Sequence, residues 1–267
     1  MPEFTTWMLY SLLGLALVWA SAAIVLWRMQ SSLVGRKWLW LSWLVWPLCL
    51  TDQAVSLAPQ NWLHLYGLTD WVPVLLMTLF YRALKPRLIA RVRPVKWVSW
   101  LPVCLCLALQ LPLALSGLPE KQRLLDGGPV GEPLDFWPLY AIALLVSFGV
   151  LVLGLLITET LQKYHKHLRQ RVTHPDQYKI RYVIPAMSVM VAIGGVLTLL
   201  VTAVTFGFLN IILWQSGMHL LLAIAMLTML LLLIIPQRTL PCPIDYVQVD
   251  EQRAEQALMQ ETVNKAN

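Results

Sequence analysis

Long apolar blocks alternate with short polar connections along this chain. Seven blocks, at 6–27, 37–58, 67–85, 95–116, 135–158, 181–205 and 209–235, carry few charges. Each approaches or exceeds the roughly 20 residues that an α-helix needs to cross a bilayer's hydrocarbon core. A lone segment in lipid must satisfy its own backbone hydrogen bonds, so the pattern predicts helices. The expected fold is an all-α integral membrane protein, a seven-transmembrane-helix bundle over 1–236. Residues 237–267 are expected to form a tail. There "PQRTLPCPIDY" interrupts the helical pattern, and 250–267 predicts a short helix. Asp250 and Glu251 at its start and Lys265 near its end suit the helix dipole.

The first block differs from a signal peptide. Its flank "MPEFTTW" carries Glu3 and no Lys or Arg, and no small-residue cleavage site precedes "GRK". It is therefore expected to stay in the mature protein. The composition agrees with the blocks: 58% of residues are hydrophobic and 13% charged, against about a quarter charged in soluble domains.

Charge orients the blocks. The first, third and fifth connections and the tail hold 18 of the 20 Lys and Arg; only Lys121 and Arg123 lie on the other side. Acidic Glu3, Asp52, Asp70, Glu120, Asp126, Glu132 and Asp135 gather near that other side. Positive charge stays cytoplasmic. The expected topology puts the N-terminus outside and the C-terminus in the cytoplasm, as a multi-pass protein of the bacterial inner membrane. Outer-membrane proteins are barrels instead.

The stretch "LQKYHKHLRQRVTHPDQYKIRY" at 161–182 holds six Lys or Arg, three His and one acid, Asp176. In this topology it is an inner-surface loop. Anionic lipid heads attract such clusters at about 1 kcal/mol per residue. It carries no DNA-binding motif, so no direct nucleic-acid partner is expected. His165, His167 and His174 have no carboxylate or Cys to complete a metal set. The four Cys are scattered and read as packing residues. Trp27, Trp38, Trp40, Trp97 and Trp100 mark the inner boundary, and Trp7, Trp62, Trp71, Trp137 and Trp214 the outer one.

The 117–136 connection is expected to be irregular. Pro47, Pro73, Pro102, Pro112 and Pro185 are expected to kink helices and open cavities. Polar groups inside spans are candidates for function. Asp52, Asp70, Gln215 and His219 form the expected ligand-binding set, with Gln110 deep in the fourth block. Gln215 and His219 are one turn apart on one face. The plain alternative is interhelical hydrogen bonding without a ligand. Glu159 is expected to pair with a neighbouring cation. No metal, cofactor or catalytic set is expected. His-Glu-x-x-His and Gly-x-Ser-x-Gly are absent, and Ser216 with His219 lacks an orienting acid. The seventh block has no Lys for a retinal Schiff base. Pro59-Gln60 and Pro236-Gln237 do not form the repeat of a PQ-loop transporter.

Two stretches resemble the seven-helix sensor domain of bacterial AraC-type membrane regulators. "LHLYGLTDWVPVLLMTLFYRALKP" is similar to that family's third helix through His64, Gly67, Leu68, Thr69, Pro73, Tyr81, Arg82 and Leu84. "LQKYHKHLRQRVTHPDQYKIRYV" is similar to its basic loop after the fifth helix, with Arg181 and Tyr182 entering the sixth. Those regulators continue into a cytoplasmic helix-turn-helix domain that this sequence lacks, so DNA binding does not carry over. The resemblance implies a sensor that signals to a separate protein. The expected output face is Arg87, Arg91, Arg93, Lys163, Lys166, Arg169 and Arg171. The expected partners are anionic inner-leaflet lipids and a cytoplasmic or membrane protein; self-association into a homo-oligomer is left open. A transport or complex-assembly subunit is the alternative.

Overall fold

The computed structural model describes residues 2–28, 35–91, 98–127, 137–175, 178–180, 182–206, 208, 212–234 and 243–245. Side chains are described except at 2–5, 91, 98, 123–127 and 212–218. The chain is mostly helical. Its α-helices are α1 (Pro2–Arg28), α2 (Arg36–Val45), α3 (Thr51–Leu57), α4 (Val72–Leu88), α5 (Leu101–Ala114), α6 (Leu118–Gly127), α7 (Trp137–Arg171), α8 (Val183–Thr205) and α9 (Ile212–Ile234). Three helical stretches, Thr6–Arg28, Trp137–Arg171 and Val183–Thr205, are long and apolar enough to cross a membrane. The expected tail helix at 250–267 lies outside the described residues.

α4 is the central helix. Its sequence is apolar around most of its circumference, which suits a helix enclosed by others. Val72, Val74, Leu76, Met77, Leu79 and Phe80 are fully buried, and α2, α5, α7 and α9 pack around it. α7 and α8 run together closely. A Cβ at Gly194 would stand 3.1 Å from the Leu151 backbone nitrogen, so a larger residue would have to push the two helices apart by a few tenths of an ångström.

The outer surface is apolar. Trp7, Leu13, Leu17 and Trp27 of α1, Leu111 of α5, Leu155 of α7 and Leu199 of α8 are all exposed. A soluble monomer rarely shows so much contiguous apolar surface, whereas lipid covers it. Hydroxyls on these helices bond inward to their own backbones. Thr158 donates to Gly154 O, Thr198 to Gly194 O and Thr228 to Ile224 O. That pattern satisfies a donor where water is absent. Trp19 and Trp43 do the same across α1 and α2. Their rings stack at 4.5 Å, and each indole N–H donates to the other's carbonyl.

Several local expectations need correction. The second block is not one straight helix. Pro47 opens a 3-10 turn, Trp46–Leu50, that separates α2 from α3. Buried Trp46 anchors the break by donating to Ala223 O at 2.9 Å. Pro73 and Pro102 begin helices instead of kinking them, because a first-turn N–H has no helical partner to lose. Pro185 also stands in a first turn; Pro86 and Pro112 lie inside helices. The 117–136 connection is not wholly irregular, since its first half forms α6. Of the Trp residues expected at the boundaries, Trp38, Trp40, Trp71 and Trp100 pack against the core, whereas Trp7, Trp27, Trp62 and Trp137 are exposed.

The largest correction concerns the basic stretch. It is a helix as far as Arg171, not a loop. Leu161, Tyr164 and Leu168 are fully buried at three- and four-residue spacing, continuing the inward face of α7. Residues 159–171 thus extend α7 by about 20 Å beyond the apolar block. Near the exit of α4, β1 (Ile89–Arg91) pairs in parallel with β2 (Ile244–Asp245), which brings the segment after α9 back to the bundle.

Candidate functional site

One turn gathers a polar cluster at the start of α4. Gly67 adopts φ +67°, and a Cβ there would meet Leu113 at 2.9 Å. Only glycine enters this left-handed region without strain. In this conformation its N–H donates to Asp52 Oδ1 at 3.0 Å, while its carbonyl accepts from Gln110 Nε2. One backbone unit therefore joins α3 to α5.

Asp70 completes the core of the cluster. Gln110 Nε2 also reaches Asp70 Oδ2 at 3.4 Å. Both contacts of Nε2 are to acceptors, which fixes the amide orientation. Gln110 is buried, and its Oε1 has no hydrogen-bond partner among the described residues. The Asp52 and Asp70 carboxyl groups are within hydrogen-bonding reach of each other. Two carboxylates this close repel unless they share a proton or positive charge is brought to them. Lys121 of α6 brings it. Its ammonium donates to His64 O at 2.9 Å and interacts electrostatically with Asp52. Burial lowers the pKa of Lys121 from its ordinary value, and Asp52 opposes that shift. Burial raises the pKa of the neighbouring Tyr66 phenol, helped by Asp52 and then Asp70.

His219 reaches the cluster from α9, where its imidazole interacts with Asp70. Of the expected set, Asp52, Asp70 and His219 therefore come together, with Gln110 beside Asp70. Gln215 lies one turn before His219, but its side chain is outside the described residues. The role of Lys121 is not apparent in the sequence reading. Its signal was there: it is one of just two cations on its side of the charge alternation.

The far end of α4 is cationic and aromatic. The Arg82 guanidinium lies 5.8 Å from the Trp38 ring centre and 5.6 Å from that of Trp100. Such cation–π contacts hold an Arg beside apolar surface. Buried Arg87 donates from Nη1 to Leu233 O at 3.3 Å, tying the exit of α4 to the end of α9. Lys163, Lys166, Arg169 and Arg171 are exposed on the α7 extension. Lys163 pairs with Glu159 at 2.6 Å; so exposed a pair contributes little stability. Arg91 lies in β1 with its side chain undescribed, and Arg93 is outside the described residues. No group of three or more His, Cys, Asp or Glu suited to a metal occurs among the described residues.

No protein-family description matches this chain, and comparison with curated proteins and with solved structures finds no match either.

Proposed function

We propose that the chain is a seven-helix sensor or regulatory subunit of the bacterial inner membrane, with its N-terminus outside and its C-terminus in the cytoplasm. A small ligand or lipid occupies the cluster of Asp52, Asp70, Gln110 and His219 from the outer side. Binding shifts the bundle between two packings, which a cytoplasmic partner reads at the inner end. The observation that carries this reading is α4 itself. It is buried along its length, with the polar cluster at its start and Arg82, Arg87 and the β1–β2 pair at its exit. About 25 Å of one helix separates Asp70 from Arg87. The side-to-side charge alternation supports the orientation.

The resemblance to AraC-type sensor domains belongs to this proposal. The His64 backbone carbonyl accepts from Lys121, Gly67 forms the turn, Pro73 opens α4 and Arg82 lies beside two Trp rings. Four residues that carry the resemblance thus sit at the two ends of the proposed lever. The test is amide hydrogen exchange on the purified full chain. Asp52→Asn should change protection at Ile89–Arg91 and Ile244–Asp245 as well as around Gly67. A change confined to the Gly67 turn would remove the sensor reading.

One observation favours a transport subunit as the second reading: the break at Trp46–Leu50, since transporters bind substrates at discontinuous helices. A substrate-dependent flux in liposomes that Asp52→Asn abolishes would support it; absence of flux would count against it.

A further inference from the structure

The outer cluster is rich in acceptors. Two carboxyl groups, the His64 and Gly67 carbonyls and the Gln110 amide belong to it. Gln110 Oε1 is the informative atom. It is buried, its amide is held in place through Nε2, and it lacks a donor among the described residues. Buried polar atoms are rarely left so, and each exception needs a reason. A donor from beyond the described residues is the simplest reason here.

The donor that is present comes from an unusual place. Among the α6 side chains described, Leu118, Pro119, Glu120 and Gln122 are exposed and Lys121 alone is buried. A surface helix normally buries an apolar residue. This one inserts an ammonium, 2% exposed, and packs mainly on the 3-10 segment Gln60–Leu65. Withdrawing α6 would leave the bundle's own helix contacts in place. The Lys121 ammonium has three N–H donors. One goes to His64 O, and its charge faces Asp52.

We propose that the cluster is a binding site for a primary ammonium group, and that Lys121 is a tethered stand-in that occupies it and closes α6 over it until such a ligand displaces it. This rests on the ligand-binding reading above and adds the ligand's chemical class. An ammonium matches these acceptors: it supplies charge to the Asp52–Asp70 pair and N–H groups to the carbonyls, as the Lys121 ammonium does to His64 O. A divalent metal fits less well, because one oxygen of each carboxyl and the Gly67 carbonyl already accept from Gly67 N–H or Gln110 Nε2, which leaves fewer free oxygens than the six or more that a hard cation wants. An anion would face two carboxylates.

The probe is ethylammonium chloride, read by thermal unfolding of the full chain in detergent. Lys121→Ala should lower the midpoint, and ethylammonium should restore it along a saturating curve. The half-saturating concentration should be at least about tenfold below that for wild type, because the tethered competitor is gone. Sodium and tetramethylammonium chloride at equal ionic strength should not restore it. Adding Asp52→Asn to Lys121→Ala should abolish the rescue. Equal rescue by sodium, rescue independent of Asp52, or no rescue in a folded Lys121→Ala protein would overturn the proposal.

A second measurement does not depend on that variant folding. In the wild-type chain, ethylammonium should speed hydrogen exchange of the α6 amides, 118–127, in a saturable way. Unchanged exchange up to concentrations that saturate Lys121→Ala, or up to solubility if that variant does not fold, would overturn the proposal. The two readings fail separately. If amine binding fails while Asp52→Asn still alters the β1–β2 pair, only the ligand class is wrong. If the amine binds and that pair is unmoved, the site stands and the sensor reading falls.

Discussion

At Gly67 the backbone of a single residue holds side chains from two helices. Replacing it with Ala should cost about 1–2 kcal/mol from the left-handed backbone alone, with a further loss from the Leu113 contact. The expected result is a lower unfolding midpoint for Gly67→Ala, partly recovered in Gly67→Ala/Leu113→Ala relative to Leu113→Ala. Equal midpoints for wild type and Gly67→Ala would contradict the turn's role. His165 makes a second prediction at this scale. Burial first, then Lys179 and Arg169, hold it below the ordinary imidazole value of 6.5. Its Nε2 is buried without a hydrogen-bond partner among the described residues. The unfolded state therefore takes up the proton more readily. The stability His165 contributes is full above pH 6.5 and is lost as pH falls through the lower folded-state value. His167 shifts the same way, through burial and Arg171. Exchange protection of 159–171 should fall on acidification below pH 6.5, and His165→Leu should flatten the response. An unchanged profile in that variant would assign the pH effect elsewhere.

Among the elements, the extension of α7 separates what a helix buries from what it displays. Tyr164 is fully buried, with its hydroxyl 3.3 Å from Tyr178 O, whereas Lys166 is exposed. Tyr164→Ala should cost about 3–5 kcal/mol, as for other large aromatic truncations. Lys166→Ala should stay within about 0.5 kcal/mol. Denaturant or thermal unfolding of both variants checks the contrast, and equal losses would contradict it. This element also explains where sequence reading stops. Leu161, Tyr164 and Leu168 keep the helical period into the basic stretch, but six cations and the positive-inside rule direct attention to a loop. Charge sets the side of the membrane and does not end a helix. Apolar blocks were legible because lipid enforces helices wherever polar residues are absent. The break at Pro47 was not, because a Pro that kinks a helix and one that divides it look alike in sequence. Asp52, Asp70, Gln110 and His219 were legible because charge and amides are costly in apolar blocks. Lys121 was only half legible: the charge alternation singles out Lys121 and Arg123 together and does not say which of the two turns inward.

The whole molecule is a bundle around one buried helix with opposite chemistry at its two ends. Acidic and amide groups meet at the start of α4; Arg side chains and a two-stranded pair gather at its exit, and the extension of α7 displays cations on its exposed face. For a sensor, these ends must lie on opposite sides of a membrane, with Glu120 outside and Lys166 in the cytoplasm. Both side chains are exposed, so cysteine replacement reports their side directly. The decisive measurement is labelling by a membrane-impermeant maleimide in intact cells producing the full chain, in a background free of native cysteines. Glu120→Cys should be labelled in intact cells, and Lys166→Cys only after the membrane is opened. Labelling of both in intact cells, or the reverse pattern, would contradict the topology on which the proposed function rests.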